Sequence, residues 1–274
     1  MALAGAGFAI SWASILIILS GLNPLSIAFW RSLLTSLILM PIALRGIRDV
    51  GLRDLELAAV GGVALAIHFM SWIASLQYTP VAISVTLVST YAAFTIPIEY
   101  LLGKPPSRLT AVGGLASMIG VASLMYVTWG FRVGTLFGDA LALVGSISGA
   151  LYFTAGRLAR ARLSTATYSA LVYLTASLTT LAFSRIMGVG LWFTGLRPLI
   201  YLALIVLGPT LAGHTLLNYS LRYFSASAVA TVTLVEPVGS TMLAYIILRQ
   251  PVSAPEALAM AVTLIGVYLA VKGG

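Results

Sequence analysis

Apolar runs of about 20 residues follow one another along the whole chain, separated by short polar or turn-forming stretches. A run of that length crosses the hydrocarbon of a bilayer as one α-helix. The pattern predicts ten such helices, near 2–20, 25–45, 55–76, 81–102, 109–129, 134–156, 165–186, 198–219, 225–248 and 256–272. The segments between them carry the Gly, Pro, Asn and Ser that cap or stop helices: GLNP (21–24), RGIRDVGLRD (45–54), QYTP (77–80), GKPP (103–106) and RQPVS (249–253). The first run has neither a basic leader nor a clear cleavage box, so it reads as a span rather than a signal peptide.

Composition agrees. Of 274 residues, 60% are hydrophobic and only 8% charged, and the mean hydropathy is +1.04. A water-soluble domain needs more polar surface than that to cover its core. The expectation is therefore an all-α integral membrane protein, multi-pass in the cell membrane, whose bulk partner is the lipid bilayer. The net charge of +8 does not imply nucleic acid, because the basic residues are scattered over loops with no basic face.

The basic residues instead report topology. With the N-terminus inside, Arg45, Arg48, Arg53, Lys104, Arg108, Arg157, Arg160, Arg162, Arg222 and Lys272 fall on the inner side, and Arg132, Arg185, Arg197 and Arg249 on the outer. Ten against four predicts cytoplasmic N- and C-termini.

The chain also repeats itself. HFMSWIASLQYTPVAISVTLV (68–88) parallels HTLLNYSLRYFSASAVATVTLV (214–235), with the histidines 146 residues apart and the VTLV strings 147 apart. LLGKPPS (101–107) parallels ILRQPVS (247–253), and MIGV (118–121) parallels LIGV (264–267). The halves are 1–130 and 131–274. Five helices per copy is an odd number, so the second copy enters the membrane upside down. This inverted-topology plan is that of many secondary transporters, whose solute site lies near the midplane where the halves meet.

Particular residues carry a family resemblance. GDALALVGSISGALYFTAGRLARARLS (138–164) resembles the opening of an EamA domain, and SLRYFSASAVATVTLVEPVGSTMLAYIILRQPVS (220–253) its closing half. GLNPLSIAFWRSLL (21–34) and LQYTPVAISVTLVSTYAAFTIPIEYLLGKPPS (76–107) are similar to the same pattern. Two EamA domains imply the drug/metabolite transporter superfamily: ten helices, the fifth and tenth peripheral, the others lining a cavity. The chain departs from that pattern in three places. Ser89–Thr90 stands where the second copy has Glu236–Pro237, Lys104 and Gln250 replace acidic residues after the fourth and ninth helices, and Phe8 replaces a tryptophan.

Candidate site residues are the polar and aromatic ones inside the runs. Glu236 lies mid-run, with Thr233 and Ser240 on its face and Pro237 beside it to loosen the helix. Two readings compete: a solute-cation ligand or proton carrier, and a protonated partner for carbonyls that Pro237 frees. His68 and His214 occupy matching places, each followed one turn on by a recognition-capable residue, Trp72 and Asn218. A neutral helix-to-helix hydrogen bond is the expectation for His214. For His68 that fate and a solute-facing role beside Trp72 both stand.

Arg31 lies about two turns into the second run; it is expected to snorkel outward, the other reading being a bidentate clamp on a solute carboxylate. Tyr91 and Trp12 are candidate lining residues. Glu99 is expected to form an interfacial ion pair with Lys104 or Arg108. Gly113, Ser117 and Gly120, with Ala257, Ala261 and Gly266, suit close helix packing.

The chain contains no cysteine, its two histidines are far apart, and no HExxH, P-loop or GxSxG occurs. No cofactor or metal is expected. The reading is a non-enzymatic secondary transporter of small organic metabolites, by resemblance an exporter of an amino-acid-like or amphiphilic solute. A proton is the candidate coupling ion, through Glu236, and the protein is a monomer or homodimer. A uniport facilitator, a channel and a membrane-embedded enzyme are the alternatives. A channel would need repeated pore rings and an enzyme converging titratable groups, and neither pattern occurs.

Overall fold

The computed structural model describes residues 1–129, 135–248 and 252–274. Arg132, Arg249 and Gln250, used above, lie outside the described residues. Among the described residues every regular element is helical. In chain order these are α1 (Ala2–Ile10), α2 (Ala13–Ser20), α3 (Pro24–Ala43), a single 3-10 turn (Ile47–Asp49), α4 (Leu52–Ser75), α5 (Val81–Val88), α6 (Tyr91–Leu101) and α7 (Arg108–Trp129). Then come α8 (Leu136–Ala159), α9 (Thr165–Ile186), α10 (Leu196–Ile205), a π-helical segment (Val206–His214), α11 (Thr215–Ser220), α12 (Ala226–Val232), α13 (Val235–Leu248) and α14 (Ala254–Gly273). Nine stretches among the described residues are long and apolar enough to cross a membrane. The predicted run at 81–102 is present as the pair α5 and α6.

Helix starts follow their capping residues. The Asn23 carboxamide accepts from Ser26 N (2.8 Å), with Pro24 in the first turn. Thr135, Ser164 and Ser225 cap α8, α9 and α12 in the same way. Ser253 and Glu256 form a reciprocal capping box at α14.

Four predicted runs are not continuous helices. The first is jointed at Ser11–Trp12, the fourth at Ser89–Thr90 and the ninth at Thr233–Leu234, while the eighth carries the π segment. Two of these interruptions have a proline as their cause. An α-helical Thr233 carbonyl needs the amide of residue 237, and Pro237 has none; Glu236 N takes that carbonyl instead, at 2.9 Å. Pro237 thus sits in the first turn of α13, where a missing amide costs little. The expected free carbonyl beside the carboxylate is thereby corrected, because Glu236 itself occupies it. Pro209 likewise removes the α-helical donor to the Ile205 carbonyl, which accepts from Thr210 Oγ1 (2.8 Å) in the wider π turn.

The packing is inside out compared with a soluble protein. Large aliphatic side chains such as Leu37, Val60, Leu115, Ile147, Leu178, Leu207 and Ile265 are exposed, whereas Arg31, His68, His214, Asn218 and Glu236 are buried. With apolar solvent outside, this is the arrangement lipid demands, and polar groups turn inward to meet one another. Helix α4 packs on α8 and α9, α3 on α9, α6 on α12, and α1–α2 along α10 and the π segment. Helices α7 and α14 form a separate close pair.

That last pair meets through small residues. A Cβ on Gly120 would lie 2.9 Å from Thr263 Cα, and Ser117 Oγ donates to the Thr263 carbonyl at 3.2 Å. On the α14 side the seam is Ala259, Thr263, Gly266 and Ala270. Ala257 and Ala261, expected on this seam, are exposed instead. They lie on turns of the helix that face away from α7.

Candidate functional site

The centre of the molecule is an aromatic and cationic cluster assembled from α3, α4, α6, α8 and the π segment. Arg31 on α3 is fully buried. Its Nε donates to Thr210 Oγ1 (3.1 Å), and its guanidinium carbon lies 3.8 Å from the centroid of the Phe69 ring. Both terminal nitrogens lack a hydrogen-bond partner. The expected outward snorkelling is therefore corrected. The face of α3 that carries Arg31 also carries buried Ser32, Thr35 and Ser36, so the side chain has a polar interior to turn toward.

His68 on α4 binds the Gly145 carbonyl of α8 through Nδ1 (3.0 Å) and faces Tyr91 Oη through Nε2 (3.4 Å). Trp72, one turn on, stacks on its imidazole with centroids 5.9 Å apart and planes 14° apart. The indole is buried and its Nε1 has no partner. Tyr91, the first residue of α6, also meets Phe153 edge-on at 5.5 Å. Gly149 makes room for it, since a Cβ there would lie 3.3 Å from Tyr91 Cζ and closer still to Cδ1 and Cε1.

His214 closes the cluster from the other half, its ring 6.1 Å from His68 and edge-on to Phe69 at 5.2 Å. Its Nδ1 has no partner, so the expected helix-to-helix bond is not made through that atom. Asn218 is spent on structure. Its carboxamide accepts from Tyr152 Oη (2.6 Å) and donates to Ser169 Oγ (3.0 Å), joining α11 to α8 and α9. Trp12 stands apart at the α1–α2 joint, half-buried, with Phe8 edge-on at 6.4 Å.

Glu236 is the second residue of α13, 4% exposed, with Oε1 unpartnered. A carboxylate at a helix N-terminus is favoured by the helix dipole. It interacts electrostatically with Arg31 and Tyr91, yet among the described residues the only ion pair is Arg162–Asp54, at 3.7 Å. Arg31 and Glu236 are thus a basic and an acidic side chain, both buried and not joined by an ion pair.

Phe69, Tyr152, Phe153 and Thr210 complete this centre and were not singled out from the sequence. The available signals were the neighbour of His68 and the residue after Pro209. Among the described residues no group of three or more His, Cys, Asp or Glu is arranged to hold a metal. Two pockets of about 240 Å³ each open at opposite ends of the bundle. One lies by Glu99, Lys104 and Arg157, the other by Ile17, Leu22 and Gln77, and neither is lined by a member of the central cluster.

Glu99 corrects a further expectation. It pairs with neither Lys104 nor Arg108; its carboxylate accepts from the amides of Ala226 (2.8 Å) and Ser227 (3.3 Å) at the start of α12. Amides that begin a helix have no intrahelical acceptor, so a nearby carboxylate satisfies two of them at once.

An all-helical bundle with an apolar exterior and a buried polar, aromatic centre defines a multi-pass membrane protein. The particular family follows from comparison. The model of the EamA-like transporter family matches residues 1–126 and again 136–272, and the chain belongs to that family. A protein of Archaeoglobus fulgidus described as an uncharacterized transporter is 26% identical over 254 residues, 91% of this chain and 87% of its own. One of Clostridium kluyveri, described in the same words, is 23% identical over 261 residues, 89% of this chain and 82% of its own. A crystal structure 17% identical in sequence superposes with a TM-score of 0.77, covering 99% of this chain and 96% of that one, which bears on the fold alone.

Proposed function

We propose that this protein is a secondary transporter of the cell membrane that carries a small, amino-acid-like organic solute by alternating access between two inverted five-helix halves, 1–130 and 131–274. The observation that carries the reading is the buried base and acid that stand unpaired at the centre. Both terminal guanidinium nitrogens of Arg31 and Oε1 of Glu236 are buried without partners. Buried polar atoms left without partners are costly, so a solute that pairs with both the base and the acid would stabilise the site. A solute carboxylate suits the guanidinium fork, an ammonium suits Glu236, and Trp72, Tyr91 and Phe153 offer a wall for an apolar body.

The helix pairings support the inverted-repeat reading. Exchanging the halves turns α7–α14 and α3–α9 into themselves, turns α6–α12 into the contact of α13 with α5, and turns α4–α8 into the packing of α1–α2 along α10 and the π segment. Orientation rests on the excess of basic residues. A membrane-impermeant thiol reagent applied to intact cells should label a single cysteine at Gly195 and spare one at Gly274; the reverse pattern overturns the topology.

Coupling to a proton through Glu236 belongs to the same proposal. A facilitator without coupling is the second reading, favoured by Ser89 standing where a second central carboxylate would be. The deciding experiment screens amino acids, amines and carboxylates for thermal stabilisation of the purified protein, since a native-state ligand raises apparent stability by mass action. Stabilising solutes are then tested for uptake into sealed vesicles bearing the protein. Stabilisation and ATP-independent uptake of a zwitterion are expected. No uptake of any stabilising solute, or its chemical conversion, overturns the reading.

A further inference from the structure

We propose that Glu99 is the latch that closes the bundle at the end carrying Gly274, joining α6 of the first half to α12 of the second, and that parting of this contact opens that end. The inference rests on the transporter reading for its purpose, but its geometry and its test need no substrate.

The Glu99 carboxylate is 5% exposed and bonds two backbone amides 127 and 128 residues away. The C-terminus lies close by: a Cβ on Gly274 would stand 3.4 Å from Ser225 Oγ, at the α12 cap. From outside, the carboxylate is reached through the pocket of about 240 Å³ that Lys104, Thr154, Arg157 and Ser225 also line. Inward along the same face of α6 stand Thr95 and then Tyr91, both buried, and Tyr91 touches His68. Glu99 therefore lines that pocket and begins a row of buried side chains, Thr95 and Tyr91, that leads to the cluster.

The contacts around it decide which seam can part. At the same end, α8 and α11 are pinned together: Arg157 Nη1 donates to the carbonyls of Leu221 (2.8 Å) and Arg222 (2.9 Å), and Arg160 Nε to that of Asn218 (3.0 Å). Helix α12, by contrast, is built of Ala226, Ser227, Ala228, Val229 and Ala230, small side chains that present little to interlock. Lys104 and Arg157 form no ion pair with Glu99, so withdrawing the acid does not strand a partner cation. The backbone of Lys104, which donates to the Glu99 carbonyl at 2.9 Å, ends α6 at this point and holds the latch at the helix end.

The natural chain has no cysteine, so a single one reports access directly. Thr95→Cys sits one turn inward of the latch, and Ser177→Cys on α9 serves as a buried control. In the purified protein, Glu99→Ala should speed thiol labelling at position 95 by about tenfold or more, the scale of a lost charge-assisted hydrogen bond, and leave position 177 unchanged. Glu99→Gln, which keeps one acceptor, should fall between. Ala226→Pro removes one donor without touching the acid and suits the first helical position, because Ser225 before it is already extended (φ −60, ψ 155); it should reproduce the effect. Unchanged labelling at 95 in folded variants, or equal acceleration at 95 and 177, overturns the latch. Loss of transport with an intact latch would count against the transporter reading alone.

Discussion

The guanidinium carbon of Arg31 sits 3.8 Å from the centroid of the Phe69 ring, while its Nε is held by Thr210. One face and one nitrogen of the group are thus committed to the protein, and the two terminal nitrogens remain for a ligand. Arg31→Lys keeps the charge but loses the fork and the stacking plane. The variant should bind a carboxylate-bearing solute about tenfold or more weakly, measured by ligand-induced thermal stabilisation. Phe69→Leu should lower stability by about 1–2 kcal/mol through the lost cation–π contact, measured by unfolding in detergent.

Trp72 tests the apolar wall. Its indole is stacked on His68 and its Nε1 is free. Trp72→Ala should weaken binding of an aromatic or aliphatic solute by about 1–3 kcal/mol while the protein remains folded. Unchanged affinity in a folded variant assigns the residue to packing.

Glu236 tests coupling. Glutamine keeps the shape and hydrogen-bonding capacity but does not titrate. Glu236→Gln should flatten the dependence of vesicle uptake on pH and abolish its response to an imposed pH gradient. Uptake with the original pH profile would make the carboxylate a recognition group only, and the protein a facilitator.

Asn218 tests structure rather than solute contact. Tyr152→Phe and Asn218→Ala each break the same 2.6 Å bond. Their double-mutant cycle should show a coupling of about 1 kcal/mol in unfolding free energy. Solute selectivity should stay as in the parent.

Gly120 tests the α7–α14 seam. A methyl group there has no room beside Thr263, so Gly120→Ala should cost about 1–3 kcal/mol of stability, read as a lowered unfolding temperature.

Much of this fold was legible because lipid imposes one rule on every span. The apolar run at 165–186 became α9 with the same bounds, Thr165–Ile186. The His68–Trp72 stack was legible because residues four apart share a helix face. Joints within runs were not, since hydropathy does not register backbone hydrogen bonds; Pro209 and Pro237 were the visible traces of two of them. Arg31 was misjudged because depth along a helix says nothing about direction around it. The polar residues Ser32, Thr35 and Ser36 on its side of α3 held that information. Glu99 was misjudged because charges nearby in sequence were considered, whereas its partners are uncharged amides from the other half of the chain.

The π segment at Val206–His214 has a mechanical consequence. Its hydrogen-bond ladder is out of step with the α-helices on either side, and Pro209 prevents it from falling back into step at Ile205. A bend imposed on this stretch of chain from either loop is absorbed first at that turn. Thr210 is part of the turn, and Arg31 is tethered to Thr210. Flexure of one helix is thereby geared to the position of a cation on another.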